Sequence, residues 1–282
     1  MKAKHIIQSA ILAGLLMAAT TLPAFAGLRI YPVFAGGDPP PSEAIAGGGN
    51  LHDIVKVAAE NWESVFKNGS GKWDLILEYG WTNIELGFAY ERALALGGNP
   101  NRITRSRISF RNTPKSSSNT NDNFTGWFAD ATPRDNSEYT RYTAYQANLE
   151  QGLLNYGRVF SEPTGDAAGR VDLLTIAMHE IGHSLGLDYD YGGLTNQFTN
   201  RVSLEITSPR PFAGLIIHIN NIGPHLDEFD QFVPLMVIEP TPGWRQFISS
   251  ADALVISQIS SFRRPNLDDP FIGRPRRNQD QQ

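Results

Sequence analysis

The chain has no cysteine in its 282 residues. A disulfide framework is therefore excluded, as are a cysteine-ligated zinc site and a cysteine nucleophile. Any metal must be held by His, Asp, Glu or Tyr. Basic charge is also scarce, with 24 Lys and Arg against 29 Asp and Glu. A nucleic-acid binder shows a basic face, so no nucleic-acid partner is expected. Beyond the first two dozen residues, no apolar run is long enough to span a bilayer.

What is present begins with an address. Lys2 and Lys4 precede an apolar stretch over residues 6–22, and Ala24-Phe25-Ala26 places small residues at −3 and −1 of a cut after Ala26. This is the pattern of a secretory signal peptide. Residues 1–26 are expected to be removed, and the remainder exported to the periplasm or the medium without a membrane anchor. One domain is expected over 27–262. The Pro-, Arg- and Gln-rich stretch 263–282 is expected to be a disordered tail.

Hydrophobic periodicity places the main elements. Residues 28–34 (LRIYPVF) read as a strand, and the Gly/Pro-rich stretch 35–49 as a loop. Over 51–67, Leu51, Ile54, Val55, Ala58, Trp62 and Val65 recur on one helical face, with Asn50 as cap. Residues 73–81 and 105–110 alternate as strands, and 158–160 form a shorter one. The polar run 112–125 reads as a long surface loop. Helices are expected at 172–185 and 249–260, the latter capped by Ser249 with Asp252 three residues on. This order indicates an α+β domain: a mixed twisted sheet with two long helices, then an irregular C-terminal lobe closed by a third helix.

The chemistry concentrates in His179-Glu180-Ile181-Gly182-His183. Two His four residues apart on a helix sit one turn apart on the same face, so both imidazoles can reach one ion. Zinc accepts neutral imidazole nitrogen, and with three protein ligands it keeps a position open for water. Glu180 directly follows the first His and is placed to act on that water as general base. Leu174, Met178, Ile181 and Leu185 form an apolar stripe around these groups. Burying two His and a Glu there without partners would be costly, and a shared metal removes the cost.

With Gly186 added, the run HExxHxxG resembles the metzincin clan of zinc endopeptidases, and within it the matrixin-like bacterial group. The resemblance implies a secreted zinc-dependent endopeptidase acting on protein or peptide substrates. It also implies a left-handed residue at Gly186 that ends the helix, and a Met-containing turn beneath the zinc, for which Met236 in Pro234-Leu235-Met236-Val237 is the match. The helix containing Ala251-Asp252-Ala253-Leu254 resembles the family's closing helix. The family places His or Asp three residues after Gly186, and this chain has Tyr189 there. We take His225, in Gly223-Pro224-His225-Leu226, as the third ligand, with Asp190, Asp188 and Tyr189 as alternatives. A gluzincin-type reading would use Glu205 instead. His218 fits strand alternation better than ligation, and His52 reads as a surface residue. The loop over 127–136, with Asp130, Asp135 and Asn136, offers oxygens for a structural calcium. A non-catalytic metal-binding or adhesion module descended from a peptidase is the rival from another class.

Overall fold

Strand β1 (Gly27–Phe34) and helix α1 (Leu51–Val65) form where the periodicity puts them. Asn50 caps α1, its side-chain oxygen accepting the Asp53 N–H at 2.9 Å, which satisfies a donor that the first helical turn leaves free. Ile54, Val55, Ala58, Trp62 and Val65 form its buried face. The helix carries the chain back along the sheet, so β2 (Lys72–Thr82) runs parallel to β1. Strands β3 (Ala89–Gly97) and β4 (Arg102–Arg111) make an antiparallel pair, and β4 lies parallel to β2. The order β1-β2-β4-β3 leaves β3 at one edge of a four-stranded mixed sheet.

The chain is represented by a computed structural model that describes residues 27–267, apart from 70, 86, 117–119, 121, 151, 200–202, 221–222, 228–232 and 238–239. The expected signal segment and the tail from 268 onward lie outside the described residues. The architecture is mixed α and β, with four helices and several sheets among the described residues. A second antiparallel sheet is built from β5 (Tyr139–Leu149), β6 (Gly152–Pro163) and β7 (Arg245–Phe247), in the order β7-β6-β5. The expected strand at 158–160 is the middle of β6. No described helix is long and apolar enough to cross a membrane.

Every residue of helix α2 (Leu173–Ser184) is buried. It packs against α1, where the Trp62 indole N–H donates to the Met178 carbonyl at 2.8 Å. Asp172 caps its start by accepting the Thr175 N–H at 2.9 Å. The buried guanidinium of Arg245 pairs with the same Asp172 at 2.9 Å and with Asp130 at 2.8 Å. The beginning of α2 is thereby tied to β7, and each of these buried charges has a partner.

Beyond α2 the chain is irregular. It forms one helical turn, α3 (Gly192–Thr195), and a small antiparallel sheet of Phe198–Thr199, Ser203–Glu205 and Ile216–His218. Helix α4 (Ser250–Ile259) follows, with the capping box of Ser249 and Asp252 formed as its sequence predicts. The Arg102 Nε–H donates to the Ser260 carbonyl at 2.8 Å, so a cation from the upper sheet sits at the C-terminal end of α4.

Besides β5, for which the periodicity indicates no strand, three segments differ from expectation. Residues 89–97 read AYERALALG, a run of helix formers that gives no strand signal, yet pairing with β4 makes them a strand. The 112–125 stretch is not merely a surface loop. Asp122 is buried in an ion pair with Arg111 at 2.7 Å, and the Phe124 ring lies 5.0 Å from that of Trp127. Residues 263–267, expected at the start of a loose tail, are docked. The Asn266 N–H donates to the Val65 carbonyl at 2.7 Å, and the Leu267 carbonyl accepts from Ser250 Oγ at 3.0 Å.

Candidate metal centre

Helical spacing stacks His179 over His183, and their Nε2 atoms come within 3.0 Å of one another. Each ring is oriented by its other nitrogen. His179 Nδ1 lies 2.9 Å from the Leu235 carbonyl, and His183 Nδ1 lies 2.7 Å from the Leu187 carbonyl. A carbonyl only accepts, so both Nδ1 atoms carry the proton and donate. Both Nε2 atoms then present lone pairs to each other. Two lone pairs at this distance repel unless an electron-poor atom lies between them.

His225 completes the group. The ligand atoms of His179, His183 and His225 lie within 4.8 Å of one another, and this is the one such cluster of three or more His, Cys, Asp or Glu among the described residues. The rings of His179 and His183 stand 5.2 and 4.9 Å from that of His225. The His225 Nδ1 atom is buried and has no hydrogen-bond partner. Three convergent neutral imidazoles, one with an orphaned nitrogen, suit a metal ion.

The surrounding backbone explains why the rings converge. Gly186 has φ +116, a conformation that side chains rarely adopt, and a Cβ there would meet the Tyr191 ring at 2.8 Å. This glycine turns the chain so that Leu187 doubles back to His183. A Cβ on Gly182 would fall 2.3 Å from Met236 Sδ. The fully buried Met236 thus packs against the bare middle of the motif helix. The Asp252 carboxylate closes the arrangement from α4. It accepts the N–H groups of Leu235 and Met236, both at 3.0 Å, as well as that of Ser249 at 2.7 Å. The Leu235 carbonyl that orients His179 is therefore held by the cap of α4.

Glu180 is buried in the same cavity, which has a volume of about 560 Å³ and is lined also by the three His, Glu91 and Asp188. Burial, and secondarily the neighbouring Glu91, push Glu180 up to about 8. A cation held by the imidazoles acts in the opposite sense and favours the carboxylate. Glu91, on the inner face of β3, accepts from the Ser106 hydroxyl, and burial pushes it up to about 7. Sequence reasoning missed Glu91, because nothing in AYERALALG marks it as facing the motif helix.

The other candidates do not join the cluster. Asp188 lines the cavity, but its Oδ1 accepts the Asp190 N–H at 2.9 Å, and Asp190 is exposed. The Tyr189 hydroxyl donates to backbone carbonyls. Glu205 is exposed on its short strand and does not line the cavity. His218 pairs with Ser203 Oγ at 3.1 Å, and His52 with the Tyr79 hydroxyl at 2.5 Å. In the 127–136 loop named for calcium, Arg245 pairs with Asp130 and donates to the Asp135 backbone carbonyl at 2.9 Å and to Asn136 Oδ1 at 3.2 Å, while the Asp135 carboxylate accepts from Ser137.

Burial and the neighbouring imidazoles hold His179 well below its ordinary value. Burial also lowers His183, and burial with His183 takes His225 down to about 3. The unfolded chain protonates these rings near pH 6.5, whereas the folded chain resists, so acid favours unfolding. Glu180 and Glu91, both raised by burial, act in the opposite sense, so the sign is read as a difference: relative to a His225→Gln variant, the metal-free protein is expected to lose stability as pH falls from about 6.5 toward 3. Urea midpoints in chelator at about pH 7.5 and 5 check this. Equal pH dependence in the two proteins would count against it.

No family model, curated protein or solved structure matches the chain.

Proposed function

We propose that the protein is an exported zinc-dependent endopeptidase of the metzincin type, with His179, His183 and His225 as metal ligands and Glu180 as general base. The observation that carries this reading is the facing pair of Nε2 atoms at 3.0 Å, closed by His225 and sharing a cavity with a buried Glu. Three imidazoles without a thiolate suit zinc. A zinc ion held there would supply a Lewis acid that acidifies water and polarises a carbonyl.

The chain's own groups do the rest. The peptide lies extended along the free edge of β3, whose Ala89, Tyr90 and Glu91 line the cavity. Backbone hydrogen bonds along that edge hold it in register. Glu180 takes a proton from the attacking water and returns it to the leaving amine. The Leu235 and Leu187 carbonyls keep both ring tautomers fixed throughout. Met236 packs against Gly182 of the motif helix, and Trp62 of α1 holds the same helix through the Met178 carbonyl.

The test is the zinc content of the purified mature protein, with casein cleavage measured with and without a chelator. Near-stoichiometric zinc and cleavage abolished by chelator are expected. Zinc without cleavage would replace this reading with a non-catalytic binding module, and absence of zinc would end both.

A further inference from the structure

Tyr189 stands three residues after Gly186, where the HExxHxxG resemblance calls for a ligand. Its hydroxyl instead meets two carbonyls of the segment that delivers His225. Tyr189 Oη lies 2.6 Å from the Asn220 carbonyl and 3.0 Å from the Gly223 carbonyl. A phenol that donates its proton there is not a phenolate ligand.

Those two carbonyls belong to a tight backbone arrangement around His225. The Asn220 N–H donates to the His225 carbonyl at 2.7 Å, and the His225 N–H donates to the Gly223 carbonyl at 2.7 Å. Ile219 and Leu226 form an antiparallel bridge, and the Leu226 N–H donates to the Met236 carbonyl at 2.8 Å. A Cβ on Gly223 would sit 2.7 Å from His225 Nδ1. The Gly223 carbonyl thus receives both the His225 N–H and the Tyr189 hydroxyl. Both backbone groups of His225 are fixed by the residues that Tyr189 holds.

The exit of α2 therefore serves two ligands. Leu187 orients His183 through its carbonyl, and two residues later Tyr189 grips the loop of His225. His225 arrives from about 40 residues downstream, through short strands and irregular chain. Without a local anchor, a ligand at the end of such a segment loses preorganisation to loop entropy.

We propose that Tyr189 is a positioning residue of the metal site, whose hydroxyl clamps the His225 loop onto the end of the motif helix. The chain keeps a functional group at the family's third-ligand position, but that group orders the ligand instead of being it. This rests on the zinc reading above.

The experiment measures zinc affinity of the mature protein by competition with a chromophoric chelator, for wild type, Tyr189→Phe, His225→Ala and the double variant. Tyr189→Phe keeps the ring and removes one hydroxyl from a side chain that is 36% exposed, so the fold is expected to survive. Zinc affinity is expected to fall about 10–100-fold, the range for partners that orient a ligand. The double variant is expected to bind no more weakly than His225→Ala alone, because Tyr189 acts through His225. Cobalt loaded into Tyr189→Phe is expected to show an absorption band shifted toward that of His225→Ala. Unchanged zinc affinity in Tyr189→Phe, or an equal further loss on the His225→Ala background, overturns the proposal. A wild type that binds no zinc overturns the metal reading itself, a result distinct from either.

Discussion

Glu180→Gln is expected to retain full zinc content and to lose casein cleavage by on the order of 10²–10⁴-fold, the usual contribution of a positioned proton-transfer group. The substitution keeps size and hydrogen-bonding shape but removes the ability to accept a proton. Glu180 is 6% exposed and lines the same cavity as the three His, the cavity in which the proposed water would react. It is not among the atoms that converge on the metal position, so binding should not depend on it. The loss is expected mainly in kcat, with KM little changed. A Gln variant with more than about a tenth of wild-type activity would remove Glu180 from the mechanism. A variant that had lost zinc would show that its role is in the metal site's structure.

His225→Ala is expected to have the largest effect on the metal. Removing one of three ligands should weaken zinc binding beyond the 10–100-fold typical of an orienting partner. The consequence is also thermodynamic. Zinc at roughly 1,000 times its Kd stabilises the folded state by about 4 kcal/mol. For a domain of this size each kcal/mol moves Tm by roughly 2–4 °C. Wild type should therefore gain roughly 8–16 °C on zinc addition, and His225→Ala only a small part of that. Asp190→Ala is the control, since Asp190 is exposed and apart from the cluster. Melting curves with and without zinc settle the matter. An undiminished zinc-dependent shift in His225→Ala would displace it as third ligand.

The legible part of the site was the part written within one helix. His179, Glu180 and His183 are related by helical geometry alone, and the apolar residues around them predict a core helix, which α2 is. Gly186 was equally readable, because only a residue free of Cβ strain ends a helix with φ +116. The caps at Asn50 and Ser249 are also local, and both form.

The rest depends on pairings across long separations. His225 could be placed among four candidates by residue chemistry, but its proximity to His183 rests on how a loop folds back. Strand β3 is invisible in its own sequence because its neighbour β4 supplies the hydrogen bonds that override its helix-forming composition. Glu91 became a lining residue only through that override. β5 is missed for a related reason: it is a largely exposed edge strand whose partner, β6, fixes it. Nor could the sequence show that Arg245, about 110 positions away, reaches the 127–136 loop and bonds the Asp135 backbone carbonyl and Asn136.

The sequence by itself determined the absence of thiol chemistry, the two long helices, the caps at Asn50 and Ser249, and a motif helix carrying two imidazoles and a carboxyl. These follow from composition and from interactions spanning a few residues. Only the tertiary structure decided that His225 joins the pair, that Tyr189 grips its loop, and that Asp252 and Leu235 orient His179. Each of those contacts joins groups more than a dozen residues apart, where the outcome is set by packing of the whole chain.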